Sequence, residues 1–193
     1  MEDTQTKTTP DAAKKFPGQG APTDNRRKRD TSSEYKKSLK EKQTFKRLYG
    51  LSEKQFKRYV KETLQKRQSV ANLSDELISR LERRLDNVVF RLGLAKSRAH
   101  ARQMVSHAYF LVNGKAVNIP SFQVEKGDVV GMKETKKKKT MVGGLAPSLK
   151  KFDTLSWLKL NKEKLEGEIL ANPNLAEINP PVEISLIFEF YSR

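Results

Sequence analysis

The sequence predicts an α+β protein in which helices fill the first half of the folded chain, short strands follow, and a disordered basic arm precedes both. Apolar side chains recur at helical spacing through residues 34–107. Strand-like runs separated by turn residues begin at Tyr109. The first 30 residues are polar, so they cannot bury enough apolar surface to offset the entropy of ordering.

The net charge points to a polyanionic partner. The 193 residues include 39 basic and 23 acidic side chains, a formal charge of +16. Residues 1–70 carry 19 basic and 9 acidic side chains, residues 71–133 carry 10 and 6, and residues 134–193 carry 10 and 8. Such a chain attracts nucleic acid, and the attraction is weighted toward its N-terminal part.

Other partners and compartments are less consistent with the sequence. It contains no run of about 18 apolar residues and no basic segment opposed by a broad apolar face, so no membrane partner is predicted. The first ten residues lack the apolar segment of a secretory signal, so a cytoplasmic location is expected.

Metal, cofactor and enzyme chemistry are not predicted. The absence of cysteine excludes disulfides and thiolate metal sites and fits a reducing compartment. His100 and His107 would lie about 10.5 Å apart along one helix, too far to share a zinc ion. There is no Gly-rich phosphate loop ending in Lys-Ser/Thr and no patterned nucleophile.

The arm contains a turn-like segment, Phe16–Gly20, and a dense cationic run made of Arg26, Arg27, Lys28 and Arg29. The run is either a solvated tail or a segment that folds onto phosphate. The helices with basic faces that follow it favour the second interpretation.

Two helices are predicted next. The first extends from Glu34 to Tyr49, with Gly50 placed to end it in a left-handed cap. The second begins with a capping box formed by Ser52 and Gln55. Its apolar face comprises Phe56, Tyr59, Val60 and Leu64, and its cationic face comprises Lys54, Lys57, Arg58 and Lys61.

A long third helix is predicted to begin after a cap at Ser74. Seven apolar residues between Leu77 and Leu92 fall within about 120° of arc and form its buried stripe. An adjoining arc of the helix contains four arginines, Arg80, Arg83, Arg84 and Arg91. Their guanidinium groups are predicted to form a row that faces away from the core. Phe90 fits neither arc, which indicates that the helix bends near Asp86 or that its last turns enter a second domain.

Gly93 ends that helix, and Ser97 is predicted to cap another that runs to about His107. Arg98 and Arg102 lie four positions apart and should project together. Free backbone N–H groups at the helix start would bind phosphate between these two arginines. The alternative is that Ser97 is only a cap and that both arginines are solvated.

Short strands follow. Tyr109–Val112 and Lys115–Val117 flank Asn113-Gly114 and predict a hairpin with a type I′ turn. Further strands are predicted at Phe122–Val124, at Val129-Val130 and from Leu165 to Leu170. The segment from Val182 to Tyr191 suits a strand or a helix equally well by spacing.

One long stretch carries a specific resemblance. Residues 81–114, LERRLDNVVFRLGLAKSRAHARQMVSHAYFLVNG, resemble the signature of the alpha-L RNA-binding fold in the bacterial-type small-subunit ribosomal protein four family. Five further segments resemble that family in the same order: Phe16–Gly20, Leu39–Arg58, Val117–Val129, Trp157–Gly167 and Ile187–Arg193.

The resemblance implies a discontinuous helical domain, residues 31–81 completed by 178–193, with an alpha-L domain inserted at 82–177 after the arm of residues 1–30. It therefore favours a helix from Val182 to Tyr191. It also implies a structural constituent of the small ribosomal subunit that binds the 5′ domain of the ribosomal RNA early in assembly. Members of the family border the channel through which messenger RNA enters, beside ribosomal proteins five and three, and contribute to translation accuracy.

The predicted RNA-facing set combines matched and cationic positions. It comprises Arg26, Arg27, Lys28, Arg29, Lys54, Lys57, Arg58, Arg83, Arg84, Arg91, Lys96, Ser97, Arg98, Arg102, Gln103, His107 and Lys115. Arg98 and Arg102 rank highest. The sequence departs from many relatives in lacking their N-terminal four-cysteine zinc cluster. Two rival interpretations are an enzyme or RNA chaperone that contains an alpha-L module, and a free regulator of messenger RNA.

Overall fold

The computed structural model describes residues 26–137, 149 and 152–192, with side chains from Ser33 onward. Its helices are α1 (Arg26–Leu48), α2 (Glu53–Gln65), α3 (Leu73–Glu82), α4 (Leu85–Arg91), α5 (Arg98–Ser106), α6 (Glu134–Lys137), α7 (Leu175–Ile178) and α8 (Ile184–Ser192). Its strands are β1 (Phe110–Val112), β2 (Lys115–Val117), β3 (Val129–Met132), β4 (Leu158–Asn161) and β5 (Glu166–Ile169). The α+β prediction is confirmed.

The first helix is longer than predicted. It begins at Arg26, so the cationic run from Arg26 to Arg29 has helical backbone, whereas its polar composition predicts a disordered arm. No Gly or Pro interrupts residues 26–49, and Arg and Lys are good helix formers. Gly50, with φ of +59°, ends the helix as predicted. The arm upstream of Arg26 lies outside the described residues.

The capping box of α2 is confirmed. The Ser52 hydroxyl accepts a hydrogen bond from the Gln55 backbone, and the Gln55 side chain accepts one from the Ser52 backbone, each at 3.2 Å. Phe56, Tyr59 and Val60 are buried on the predicted apolar face. The cap and the stripe together orient the opposite, cationic face toward solvent.

The predicted third helix is two helices. Arg83 and Arg84 separate α3 from α4, and Arg84 adopts an extended backbone with φ of −64° and ψ of 136°. The N-cap of α3 is Asn72 rather than Ser74, because the Asn72 side chain accepts the Ser74 backbone N–H at 2.9 Å.

The break has a physical cause in the loop that follows β2. The backbone N–H of Leu85 donates to the Phe122 carbonyl at 2.8 Å, and that of Asp86 donates to the Pro120 carbonyl at 3.1 Å. These two donors would otherwise continue the ladder of α3. Both explanations for the misfit of Phe90 apply: the helix is interrupted two residues before Asp86, and its last turns pack into a second core.

The strands form one antiparallel sheet in the order β2-β1-β3-β5-β4. Positive φ at Asn113 and Gly114, 49° and 78°, confirms the predicted hairpin turn. β5 lies within the segment predicted from Leu165 to Leu170, and β3 contains the predicted Val129-Val130 but continues to Met132. The strand predicted at Phe122–Val124 is wrong: only an isolated bridge joins Gln123 to Arg84, because the two-residue break between α3 and α4 offers no longer edge to pair with.

Two separate groups of buried apolar side chains hold these elements together. We call them the helical core and the sheet core. The helical core comprises Phe45, Tyr49, Leu51, Phe56, Tyr59, Val60, Leu77, Ile78, Leu81, Ile184 and Ile187. The sheet core packs α4 and α5 against the sheet and includes Leu85, Val88, Val89, Leu92, Met104, Phe110 and Trp157. Along the helices α3 and α4, the helical core ends at Leu81 and the sheet core begins at Leu85.

The C-terminal segment returns to the helical core as α8, so the helix favoured by the resemblance is correct. Leu175 and Ile178 already pack against that core, a few residues before the predicted boundary at 178. Glu53, at the start of α2, joins α8 to α1 through hydrogen bonds. Its carboxylate accepts hydrogen bonds from Lys42 at 2.8 Å, Lys46 at 3.0 Å and the Tyr191 hydroxyl at 2.9 Å.

These contacts make stability depend on pH. Partial burial alone would raise the pKa of Glu53, but hydrogen bonds from Lys42, Lys46 and Tyr191 lower it to about 2. A depressed carboxylate pKa stabilises the fold fully above the ordinary value near 4.5, and the stabilisation is lost as pH falls toward 2. Because the side chain is about half exposed, solvent screening limits the effect to about 1 kcal/mol.

We therefore expect Glu53→Gln to lower the free energy of unfolding by about 1 kcal/mol at pH 7. The difference from wild type should shrink between pH 4.5 and 2, as measured by urea unfolding at a series of pH values. A difference that is constant over this range would contradict the assigned role of the carboxylate.

Gly167 in β5 is predicted to be intolerant of a side chain. A Cβ there would lie 2.9 Å from Leu92 Cγ and closer still to both Leu92 methyl carbons. Gly167→Ala should therefore destabilise the sheet core by about 1–3 kcal/mol, measured by chemical denaturation. Gly131→Ala is the matched control, because the nearest group to its Cβ would be the flexible Glu166 side chain, at 3.2 Å. Equal losses in the two variants would argue against close packing at Gly167.

Candidate RNA-binding surface

The solvent face of α2 carries a row of exposed cations. Lys54, Lys57, Arg58 and Lys61 follow one another at helical spacing, and all are exposed. Arg58 approaches Glu62 at 3.7 Å, with both side chains well exposed, so the pair is weak. Lys54 and Lys57 have no hydrogen bond or ion pair within the described part of the chain. Their charges are therefore available to an external anion.

A second polar surface lies at α5 and the hairpin. Lys96, Gln103, His107 and Lys115 are exposed, as a binding role requires. Ser97 is the N-cap, and its hydroxyl accepts the His100 backbone N–H at 3.1 Å. The Lys96 backbone N–H donates to His100 Nδ1 at 3.3 Å. Because the backbone N–H groups of His100 and Lys96 are both engaged, the phosphate site predicted at this helix start has fewer free donors than expected.

The predicted outward row of arginines is wrong for Arg84. Its side chain is only 3% exposed and lies between the two cores. Nε and Nη2 donate to the Asp86 carboxylate at 3.0 and 2.8 Å, and Nη1 donates to the Tyr59 hydroxyl at 2.8 Å. The extended backbone at Arg84 turns the side chain inward, which a continuous helical wheel could not indicate. Burial alone would lower the pKa of Arg84, but the bonds to Asp86 raise it.

The neighbouring arginines of that row also have partners or lie partly buried. Arg80 donates to Glu62 and lies over the Tyr59 ring, with 5.7 Å between guanidinium carbon and ring centroid. Arg83 is half-buried, and its Nε has no hydrogen-bond partner among the described residues. Only part of the predicted row is thus open to solvent.

Glu82 is the most buried charge of the molecule's described part, with a fully covered side chain. Arg91 donates two hydrogen bonds to this carboxylate, from Nε at 2.9 Å and from Nη2 at 2.7 Å. The Tyr49 hydroxyl donates to it at 2.7 Å, and the Asn87 amide also donates to it. Burial and the adjacent carboxylate raise the pKa of Tyr49 well above its ordinary value. Arg91 therefore fills an internal site rather than the outward one predicted.

Arg98, one of the two highest-ranked candidates, is mostly covered. Its Nε donates to the Asn87 side-chain oxygen at 2.7 Å, and its Nη2 lies 3.8 Å from Glu82. The guanidinium also lies over two rings, 5.0 Å from the centroid of Tyr49 and 4.6 Å from that of Phe90. Phe90, which fits neither arc of the predicted helix, is thus half-buried between this guanidinium and the sheet core. Burial lowers the pKa of Arg98.

Arg102, the other highest-ranked candidate, joins the two cores. Its Nε and Nη2 donate to Asp86 at 2.9 and 2.8 Å. The same guanidinium donates to the backbone carbonyls of Tyr49, at 3.1 Å, and of Gly50, at the end of α1. Of its side chain 32% remains exposed. We call Glu82, Asp86, Arg84, Arg91, Arg98 and Arg102 the junction network.

Sequence reasoning missed the acidic members of this network and Tyr49, Asn87 and Tyr59 beside them. Glu82 lies only about 20° outside the buried arc of the predicted third helix, at 100° per residue. An acidic side chain so close to an apolar stripe is a usable signal of a buried partner. The signal for Tyr49 and Tyr59 was absent, because both also suit an ordinary apolar core.

Within residues 26–137, 149 and 152–192, no three His, Asp or Glu side chains converge as a metal site would require. No helix of this part is long and apolar enough to cross a membrane.

Comparison with family models defines the class of protein. Residues 83–130 match the S4 domain, which corresponds to α4, α5, the β1–β2 hairpin and the loop to β3. Residues 2–82 match the Ribosomal protein S4/S9 N-terminal domain. The chain is thus a ribosomal protein with an S4 domain.

Comparison with individual relatives narrows the class to a family. The chain is 46% identical to the small ribosomal subunit protein uS4 of Halothermothrix orenii over 172 residues, 89% of this chain and 81% of the relative. It is 45% identical to that of Caldicellulosiruptor saccharolyticus, with the same coverage. It is 40% identical to that of Hahella chejuensis over 173 residues, 90% of this chain and 82% of the relative.

The chain belongs to the small ribosomal subunit protein uS4 family. The resemblance drawn from the sequence motifs is confirmed, and so is the prediction that the chain is not an enzyme.

The buried Glu82 carboxylate generates a stability prediction. Glu82→Gln should lower the free energy of unfolding by about 3–5 kcal/mol, because it leaves Arg91 and Arg98 buried without their counter-charge. Urea denaturation followed by circular dichroism measures the loss. The control Lys37→Ala removes an ion pair with Glu183 in which both side chains are more than half exposed, and should leave stability nearly unchanged. A loss below 1 kcal/mol for Glu82→Gln would contradict the assignment.

Proposed function

We propose that this protein is a structural constituent of the small ribosomal subunit that binds its ribosomal RNA. Family membership supports the ribosomal role. The structural observation that carries the proposal is the row of exposed cations on α2, two of which have no partner in the described chain. An isolated protein gains nothing from holding unpaired like charges side by side, whereas a phosphate backbone is attracted by them.

The binding mode follows from the helical scaffold. The deep, narrow groove of A-form RNA excludes side chains, so a cationic helix face reads the positions of phosphates rather than the identities of bases. Lys54, Lys57 and Lys61 are fixed on α2, whose other side is buried in the helical core. Lys96 and Lys115 belong to the part built on the sheet core. We call these the two cationic surfaces, one made by the lysines of α2 and the other by Lys96 and Lys115. Specificity for a folded RNA then lies in the distance and angle between them.

We also propose the finer role that the resemblance implies. The protein would bind the 5′ domain of the ribosomal RNA as a primary binder that nucleates assembly, on cytoplasmic ribosomes. It would border the channel through which messenger RNA enters, beside ribosomal proteins five and three, and contribute to translation accuracy. The helical backbone of Arg26–Arg29 supports an extended cationic element at the start of α1.

The proposal predicts a steep dependence of RNA binding on salt. If about six to ten phosphates are contacted, the affinity for a 5′-domain transcript should fall by roughly a thousandfold or more between 50 and 200 mM salt. The double variant Lys54→Ala/Lys57→Ala should weaken binding and reduce the slope of log affinity against log salt by about 1.4–1.8. Filter binding over a salt series measures both.

The control is Lys159→Ala/Lys164→Ala, which removes the same charge from exposed positions on and just after β4. It should leave the slope nearly unchanged. A flat salt response of wild type, or equal losses in the two double variants, would refute binding through α2. Failure of the protein to sediment with small subunits after a high-salt wash would instead favour a free regulator of messenger RNA.

A further inference from the structure

We infer that Arg98 and Arg102 serve RNA binding as positioning residues: with Glu82 and Asp86 they lock the sheet core to the helical core and so fix the spacing of the two cationic surfaces. The inference rests on the proposed function and goes beyond it, because it changes the role of the two arginines that sequence motifs rank first as RNA ligands.

The bonding of Arg102 is the first argument. Four of its contacts go inward: two to the Asp86 carboxylate and two to the carbonyls of Tyr49 and Gly50. Asp86 belongs to α4 and the sheet core, whereas the two carbonyls close the C-terminal end of α1. One planar side chain therefore holds three elements from two cores, and a guanidinium is suited to that task.

The surroundings of Arg98 are the second argument. It lies one turn before Arg102 on α5 and is sandwiched between the ring of Tyr49, from the helical core, and the ring of Phe90, from α4. Only 17% of its side chain is exposed. Its polar contacts, to Asn87 and toward Glu82, also point into the junction.

The position of the acidic residues is the third argument. Residues 87–124 contain five Lys or Arg side chains and no Asp or Glu. Both carboxylates of the junction network, Glu82 and Asp86, come from the stretch just before, and both are at most 5% exposed. They cannot touch RNA, yet they determine where Arg91, Arg98 and Arg102 lie. A change in RNA binding when either carboxylate is replaced therefore tests positioning alone.

The physical consequence is preorganisation. A polar interface between two units allows relative motion unless specific bonds fix it. If releasing Arg102 reduces the binding-competent orientation to about one-tenth of the population, the apparent affinity falls about tenfold although no RNA contact is lost.

The experiment compares Arg102→Lys and Asp86→Asn with wild type in full-length protein, using the 5′-domain transcript over a salt series. Arg102→Lys keeps the charge but loses the multiple bonds. Asp86→Asn removes a negative charge, so electrostatics alone would tighten RNA binding. Under the inference both variants bind about tenfold more weakly, and the salt slope stays at the wild-type value.

A second readout reports on the junction without RNA. Because the chain has no cysteine, Gln65→Cys on α2 and Glu168→Cys on β5 provide two unique spin-label positions. Both positions are exposed. The inter-label distance should have one narrow distribution in wild type and a broader one in Arg102→Lys and Asp86→Asn. Circular dichroism at the same temperature confirms that each variant is folded, and Arg102→Lys is the milder change if Asp86→Asn unfolds.

Two results would overturn the inference. The first is that Arg102→Lys binds RNA with wild-type affinity and keeps a narrow distance distribution, while Arg102→Ala reduces the slope of log affinity against log salt by about 0.7–0.9. A side chain that contacts phosphate directly would behave in this way. The second is tighter RNA binding by folded Asp86→Asn. A wild-type protein with a flat salt response would instead defeat the proposed function itself, so the two failures are distinguishable.

Discussion

The contact between two buried carboxylates and four guanidinium groups sets the arrangement of the rest of the structure. Glu82 and Asp86 lie on either side of the break between α3 and α4, and the side chains that surround them come from both cores. Charges buried to this extent are tolerated only when hydrogen bonds satisfy nearly every donor and acceptor. The break, the inward turn of Arg84 and the docking of α5 on the end of α1 are all geometries that meet this requirement.

A polar junction of this kind provides orientation more than stability. Apolar residues of the same volume often stabilise such a contact at least as well, but they lack the directional bonds that a charged network provides. Hydrogen bonds to Asp86, Glu82 and the Gly50 carbonyl are satisfied in one arrangement only. A variant that removes a single partner loses stability, whereas the intact network gives a defined angle between α2 and α5. A protein that recognises the shape of a folded RNA depends on such an angle.

Local features of the fold were predictable from the sequence because each depends on neighbouring residues. The capping box at Ser52, the turn at Asn113-Gly114 and the helix end at Gly50 are examples, since a few adjacent side chains and φ values decide them. The break at Arg84 was not predictable in this way. It depends on carbonyls of the loop at residues 120–122, far along the chain, and helical periodicity continues through it.

The same limit explains why the helical wheel places Arg84 and Arg91 on an outward face although both pair with buried carboxylates. A helical wheel separates apolar from charged side chains, but it cannot distinguish a guanidinium facing solvent from one facing a buried carboxylate. Residue type helps where the wheel fails. The exposed row on α2 is mainly lysine, a compact and strongly hydrated charge on a flexible stem, whereas all four cations of the junction network are arginine. A rigid planar group with five donors can satisfy more fixed acceptors at once than an ammonium group, which has three donors on a flexible stem. In a chain with so many cations, arginines beside an acidic residue on the apolar side of a helix are therefore better assigned to the interior, and lysines on the opposite face to the solvent.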